Sequence, residues 1–124
     1  MFAKRSQNII DKFNSEDILR ISKGANFFGQ ESIGSRQIRG NGVLILTSDE
    51  LYFEMWVPKN RICRIQIRDI LKIETTKWHL KKTKSRMLLK VVFTNKQGET
   101  DSGAWLVSDL NQWVYTLQGM IDRK

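Results

Sequence analysis

The side chains that carry enzyme and metal chemistry are scarce in this sequence of 124 residues. It contains one histidine, His79, and one cysteine, Cys63. A zinc site built from Cys and His ligands and a His-assisted nucleophile therefore both lack partner residues. Neither a glycine-rich phosphate loop of the G-x-x-x-x-G-K-[ST] type nor a G-x-S-x-G elbow occurs. The sequence predicts a protein that is not an enzyme, with no catalytic residue, no metal site and no cofactor.

Cationic side chains are the strongest functional signal, and most of them lie in one part of the chain. The sequence has 21 Lys and Arg against 13 Asp and Glu, a formal net charge of +8. Residues 59–90 hold eleven of these cations but only two carboxylates, while the rest of the chain is close to neutral. Residues 77–90 hold no carboxylate at all. Because like charges repel, we expect an exposed turn between two strands at residues 81–85.

A face that binds a polyanion is the functional interpretation of this charge. Each Lys or Arg close to an anionic membrane contributes about 1 kcal/mol, so several together attach a protein reversibly. Trp78 is the candidate membrane contact, because indoles favour the membrane–water interface. The predicted anion- or lipid-binding residues are Lys77, Lys81, Lys82, Lys84, Arg86, Lys90, Arg36, Arg39 and Arg64. A solvated loop that only aids solubility explains the same charge, and Trp78 could instead pack beneath a loop or stack on nucleic-acid bases.

A short helix followed by many short strands is the framework that must position these side chains. Ile9, Ile10 and Phe13 fall at helical spacing. Residues 1–15 are therefore predicted as an N-terminal helical extension, and residues 16–124 as the main domain. In this domain apolar residues collect in short runs between Gly, Asn, Asp and Ser, which is typical of antiparallel strands.

Alternation within the runs predicts which side chains face the core. One strand is expected to bulge at Gly24. Further on, the period of two is clear, because apolar residues alternate with Arg64, Gln66 and Arg68. The residues expected to face inward include Phe53, Cys63, Ile65, Ile67, Leu71 and Ile73.

The C-terminus returns to helical spacing. Apolar residues recur there at i, i+3, i+4, i+7 and i+11, and Ser108 is the expected N-cap. These apolar residues are Leu110, Trp113, Val114, Leu117 and Ile121. The predicted fold is mainly β, a seven-stranded antiparallel barrel or sandwich capped by a C-terminal α-helix, because an open barrel of this size would expose its core. The predicted structural core is Trp113, Leu110, Leu117, Phe53, Ile65 and Ile67.

Two motifs and the helix tryptophan resemble a known family. Residues 40–47 (GNGVLILT) with 51–53 (LYF) look like the G-x-L-x-L-T-x-x-x-L-x-F hairpin of the GRAM and bacterial pleckstrin-homology (PH) branches. Residues 65–70 (IQIRDI) followed by KIE look like their I-P-L-x-D-I-x-x-I/V-E run, with Gln66 in the place of Pro. Trp113 matches the helix tryptophan of the superfamily. The chain thus resembles a PH-like domain from about residue 16 to 121.

The resemblance implies a non-enzymatic module that binds phosphoinositides, other anionic lipids or proteins. The head-group pattern of lipid-binding relatives, K-x(n)-[KR]-x-R, is not met, because Arg36 and Arg39 are three residues apart and project from opposite faces of a strand. No specific head-group site is therefore carried over from the resemblance. From the charge count we expect an anionic phospholipid surface as the partner, bound through the basic β-turn. The alternatives are a protein–protein adaptor, a scaffold that self-assembles through exposed strand edges, and a non-specific nucleic-acid binder, although no specific nucleic-acid signature occurs. With one cysteine and no apolar run of about 20 residues, the expected location is cytoplasmic, with peripheral membrane attachment.

Overall fold

The computed structural model describes residues 2–34, 39–59, 61–79 and 82–124; the side chains of residues 78, 79 and 82–85 lie outside this description. Within these ranges two α-helices flank seven strands. The elements are α1 (Ala3–Ile10), β1 (Arg20–Gln30), β2 (Gly40–Leu46), β3 (Glu50–Met55), β4 (Ile62–Gln66), β5 (Ile70–His79), β6 (Lys82–Thr94), β7 (Thr100–Leu106) and α2 (Leu110–Asp122). Short 3-10 turns occur at Ser15–Asp17, Glu31–Ile33 and Ile67–Asp69. Neither helix has the length and apolar character to cross a bilayer within the described residues.

All seven strands form one antiparallel sheet in the order β4-β3-β2-β1-β7-β6-β5. β1 belongs to both halves of it, because residues 20–27 pair with β2 and residues 26–30 pair with β7. Its register shifts at Gly24, where φ is +87°, as the sequence predicts, and again between Phe27 and Gly29. The sheet folds on itself into a sandwich whose inner face holds the core. The predicted mainly β architecture with a C-terminal helix is confirmed.

Helix α2 covers the core with its apolar face. Trp113 and Leu117 are fully buried, Met120 is nearly so, and Leu110 is half-buried against the same cluster. Phe53, Ile65 and Ile67 are buried in that cluster from the strand side. The N-cap is Asp109 rather than the expected Ser108, and its side chain makes no capping bond. The Asp109 carboxylate instead accepts a hydrogen bond from Arg20 at 2.6 Å, so it fixes the helix to β1.

Helix α1 covers the opposite face of the sheet. Ile9 packs against Val43, Ile45 and Tyr52, the outward-facing residues of β2 and β3. These two strands are thus buried on both faces, which explains why residues 43–46 are apolar without interruption. Trp56 is held beneath the helix: its ring stacks on Phe2 with centroids 4.5 Å apart, and its Nε1 donates to Ser6 Oγ at 2.7 Å. The division into residues 1–15 and 16–124 stays a prediction.

A buried carboxylate joins α1 to the sheet. Glu54 is 1 % exposed and accepts hydrogen bonds from Arg5 (2.8 Å), Lys12 (2.7 Å) and the Tyr52 hydroxyl (2.5 Å). Burial by itself raises the pKa of Glu54, but the hydrogen bonds from Lys12, Tyr52 and Arg5 outweigh it, so the pKa lies below its ordinary value of 4.5. Burial and the bond to Glu54 raise the pKa of Tyr52.

Two expectations for the second half of the sheet are wrong. Residues 82–85 belong to strand β6 and not to the predicted turn, and residue 81 lies outside the described ranges. Leu71 is 52 % exposed, while Ile70 is fully buried. The cause is a register shift between Ile70 and Lys72, which moves Leu71 off the inner face, whereas Ile73 packs on the core as expected.

We predict that Glu54→Gln lowers the free energy of unfolding by about 2 kcal/mol at neutral pH, because two cations lose their carboxylate partner. The folded-state pKa of Glu54 is lowered, so its contribution is complete above pH 4.5 and is lost as the pH falls through the folded-state value. Urea unfolding should therefore show that the difference in free energy of unfolding between the wild-type protein and Glu54→Gln decreases as the pH is lowered from 7 to 3. A constant difference would contradict the assignment.

We predict that Gly42→Ala destabilises the sheet by about 1–3 kcal/mol, because there is no space for a larger side chain. A Cβ at Gly42 would overlap the Glu54 carbonyl oxygen and lie 2.8 Å from Met55 Cα. Gly119→Ala is the matched control: within α2 its Cβ meets only the guanidinium end of the long Arg123 side chain, at 3.3 Å, and alanine favours a helix by about 0.5–1 kcal/mol. Equal effects of the two substitutions on thermal unfolding would contradict this.

Candidate functional site

The β5–β6 hairpin carries the predicted cationic residues whose side chains are described. Lys77 and Arg86 are exposed, and Lys90 is half-buried. Between Thr76 and Trp78 of β5 the pairing with β6 shifts by three residues, so β6 bulges between Thr83 and Leu88. Such a bulge bends and twists the strand. Arg86 lies in this bulge together with Met87, which is 37 % exposed.

Arg39 extends this charge across the outer face of the sheet. Its guanidinium lies 5.3 Å from the centre of the Phe28 ring, a cation–π contact. Phe28 packs with Leu88 and Ala104 in a small outer cluster. Lys90 pairs with Ala104 in the β6–β7 register, and its side chain alternates onto the same face as Leu88. Arg39 and Lys90 thus border the same cluster, about two strand spacings or 10 Å apart.

The carboxylates near these cations are few. Glu74 lies opposite Lys90 in the register, but it pairs with Lys72 at 3.3 Å. Within the described ranges no ion pair joins Arg39, Lys77, Arg86 or Lys90 to a carboxylate. We call these four residues the cationic face. Arg39 and Lys90 lie on the outer face of the sheet, whereas alternation from Ile73 and Thr75 directs Lys77 to the other side of β5, near the tip of the hairpin.

Arg64 does not belong to the cationic face. It lies on β4, which the sheet order separates from β6 by four strands. Its guanidinium donates two hydrogen bonds to Glu50, at 2.9 and 2.8 Å, and lies 5.2 Å from the Tyr52 ring. The ion pair with Glu50 raises the pKa of Arg64 and neutralises its charge locally. A cross-strand partner fourteen residues away cannot be recognised from a charge count alone.

Other predicted residues lie outside the described part of the chain. Arg36 and Lys81 are outside it entirely. Trp78, Lys82 and Lys84 have described backbones within β5 and β6, and Trp78 pairs with Thr83, but their side chains are not described. Their roles in binding stay predictions.

A second buried carboxylate organises the end of the sandwich at which β1 ends and β7 begins. Asp101 is 1 % exposed and accepts hydrogen bonds from Gln30 Nε2 (2.7 Å), Ser32 Oγ (2.6 Å) and the Ser32 amide (2.9 Å). Burial raises the pKa of Asp101, yet bonds from Ser32, Gln30 and the Ser102 amide outweigh this and lower it. The carboxylate thereby fixes the chain that leaves β1.

A pocket of about 150 Å³ opens beside this carboxylate, and sequence analysis did not predict it. Its walls are mostly apolar, and Gln30 and Arg61 contribute polar groups. The lining residues are Phe27, Gln30, Ile33, Phe53, Met55, Arg61, Ile62 and Cys63. The signal in the sequence was weak, because Ile33 and Ile62 are isolated apolar residues next to turns. Only the folded sheet brings them together.

The described residues contain no group of three or more His, Cys, Asp or Glu that could hold a metal ion. Cys63 is half-buried, and loss of water around the thiol, followed by the charge of Asp101, raises its pKa to about 12. A thiol with this pKa is protonated at neutral pH and is a poor nucleophile.

Comparison with known proteins shows the fold. The chain has the PH-like fold: it is similar to the solved structure of the Vps36 N-terminal PH domain, with a TM-score of 0.61 and 14 % sequence identity, over 86 % of this chain and 79 % of that one. The sequence matches no protein-family model and no curated protein. The predicted PH-like fold is thus confirmed, whereas the GRAM or bacterial PH branch stays a prediction.

We predict that Cys63 reacts at least about 100-fold more slowly with dithionitrobenzoate at pH 8 in the native protein than in guanidinium chloride, because its thiolate fraction is small. The absorbance change on thiol release measures both rates. Similar rates in the two conditions would contradict the raised pKa.

Proposed function

We propose that this protein is a non-enzymatic interaction module that docks peripherally on an anionic lipid surface through the cationic face. The observation that carries the proposal is the set of cations at residues 39, 77, 86 and 90, which have no carboxylate partner within the described residues. Lipid phosphate and carboxylate groups would supply the missing charge. The PH-like fold supports the proposal as a framework for an interaction module.

An apolar group beside the cations favours a membrane over a soluble polyanion. Met87 follows Arg86 on the β5–β6 hairpin and is 37 % exposed. Charged side chains hold a protein at the lipid head groups, and exposed apolar side chains add to the binding by leaving water. A nucleic acid would neutralise the cations but offer no apolar layer for this side chain. Trp78 adds to this argument as a predicted interface residue.

The proposal predicts that Lys77→Gln, Arg86→Gln and Lys90→Gln together weaken binding to vesicles of phosphatidylcholine and phosphatidylserine. Three lost cations at about 1 kcal/mol each correspond to a decrease of roughly 100-fold in the partition coefficient. Co-sedimentation measures it, and the wild-type protein should bind neutral phosphatidylcholine vesicles weakly and lose binding as salt rises.

The matched control removes the same charge elsewhere, with Lys23→Gln, Lys59→Gln and Lys96→Gln. All three are exposed and lie outside the cationic face. Lys59 and Lys96 lie in the β3–β4 and β6–β7 connections, so the control also tests the opposite end of the sandwich. Loss of binding in the control alone, or equal binding to neutral vesicles, would overturn the proposal.

A further inference from the structure

Strand β4 leaves one edge of the sheet open. It is the last strand in the sheet order, and no described strand pairs with its other side. The Met55 amide donates to the Arg61 carbonyl at 3.0 Å, and the Ile67 amide donates to the Asp49 carbonyl at 2.9 Å. Because hydrogen-bonded and non-hydrogen-bonded pairs alternate in an antiparallel ladder, odd-numbered residues of β4 bond to β3. The N–H and C=O groups of residues 62, 64 and 66 therefore point to the open side.

This edge is accessible. Ile62, Arg64 and Gln66 are all exposed. An edge of this kind is a template for one more strand, because every second residue offers a donor and an acceptor. The Arg64–Glu50 ion pair lies on the outer face and so does not block the edge.

The pocket beside Asp101 lies next to the same edge. Cys63 of β4 lines it together with Phe53 and Met55 of β3, and Ile62 and Ile33 stand at its rim, 42 % and 62 % exposed. A side chain from a strand added beside β4 would face this pocket on the inner side of the sheet. A volume of about 150 Å³ accepts one group of the size of benzene, which matches a leucine or phenylalanine side chain.

Charge decides what kind of strand fits. Residues 59–68 contain four cations and no carboxylate. Arg64 is neutralised by Glu50, but Lys59, Arg61 and Arg68 are exposed and have no ion pair within the described residues. A second copy of this chain is disfavoured, because pairing β4 with β4 would bring together two segments that each carry four cations and no carboxylate. An acidic strand would be attracted.

We propose that β4 binds an extended acidic peptide segment of a protein partner as an additional strand, with one apolar side chain of the peptide in the pocket. The backbone ladder supplies affinity without sequence preference, while the pocket and the cations select apolar and acidic side chains. This site uses a different strand from the cationic face. Peptide binding at β4 and lipid binding at the cationic face can therefore be tested independently.

A model peptide tests the ladder directly. The probe is fluorescein-labelled acetyl-Glu-Val-Glu-Leu-Glu-Val-Glu-amide, which places apolar residues on one face and carboxylates on the other. Two further versions carry N-methyl groups, one on the Glu residues and one on the Val and Leu residues. The backbone amides of only one of these sets can point towards β4. Fluorescence anisotropy should therefore show that one methylated version binds at least about tenfold more weakly than the parent peptide, while the other binds nearly as well as the parent. Equal effects of both versions, or no binding of the parent, would overturn the proposal.

Variants of the protein locate the site. The double variant Lys59→Glu with Arg61→Glu should bind the parent peptide at least about tenfold more weakly than the wild-type protein does. A peptide with Lys in place of Glu should bind the wild-type protein weakly. The matched control, Lys77→Glu with Arg86→Glu, reverses two charges on the cationic face and should retain peptide binding. Circular dichroism and thermal unfolding verify that both variants fold.

Self-association is the competing outcome. Sedimentation velocity of the wild-type protein at increasing concentration should show a monomer. A dimer that the peptide disrupts would place a second copy at β4 and would overturn the proposal.

Discussion

Strand β1 hydrogen-bonds to β2 through residues 20–27 and to β7 through residues 26–30, so it is the only described strand that connects the two halves of the sheet. A regular strand could not serve both partners, because their directions diverge as the sheet folds on itself. The register shifts at Gly24 and between Phe27 and Gly29 bend β1, so that its two ends can follow these two directions. Strand alternation at this bend turns Phe27 into the core and Phe28 outward, where it meets Arg39. The core and the outer cluster bordered by cations both follow from this bend.

The distribution of carboxylates explains why the surface is cationic. Glu54 and Asp101 are buried and satisfied by several hydrogen bonds each, and Asp109 and Glu50 are paired with arginines. These four acidic groups hold both helices, a loop and a strand edge in place. Glu54, Asp109 and Glu50 are offset by cationic partners and so contribute little net field at the hairpin, whereas Asp101 is held by neutral groups. Cations that stabilise no element remain on the outside. A count of residues gives the net charge, but the fold determines which sign faces the solvent.

Local patterns predicted the elements well where one face alone is buried. The period of two at Cys63, Ile65 and Ile67 and the helical spacing at Trp113 and Leu117 both match the structure. Predictions failed where a register shift intervened, as at Leu71, and where strands continued through a charged segment, as in β6. The candidate site was predictable only as a charge excess: the pairing of Arg64 with Glu50 and the pocket at Ile33 depend on register, which one strand's sequence does not contain.

The two proposed surfaces can act at once. β4 and β6 are separated in the sheet order by β3, β2, β1 and β7, which amounts to roughly 24 Å along the sheet at about 4.8 Å per strand. The sheet folds on itself, and only Ile67–Asp69 connect β4 to β5, so the straight-line distance between the two surfaces is shorter than this path. Charges interact in solution over about 8 Å at physiological salt, so salt weakens the effect of an anion at one surface on the field at the other. At low salt the screening length grows to about 30 Å, and there an acidic peptide and anionic lipid would compete through the shared field. The coupling between the two surfaces therefore depends on ionic strength, because screening sets how far each group of cations acts, whereas the strand order alone does not set their distance.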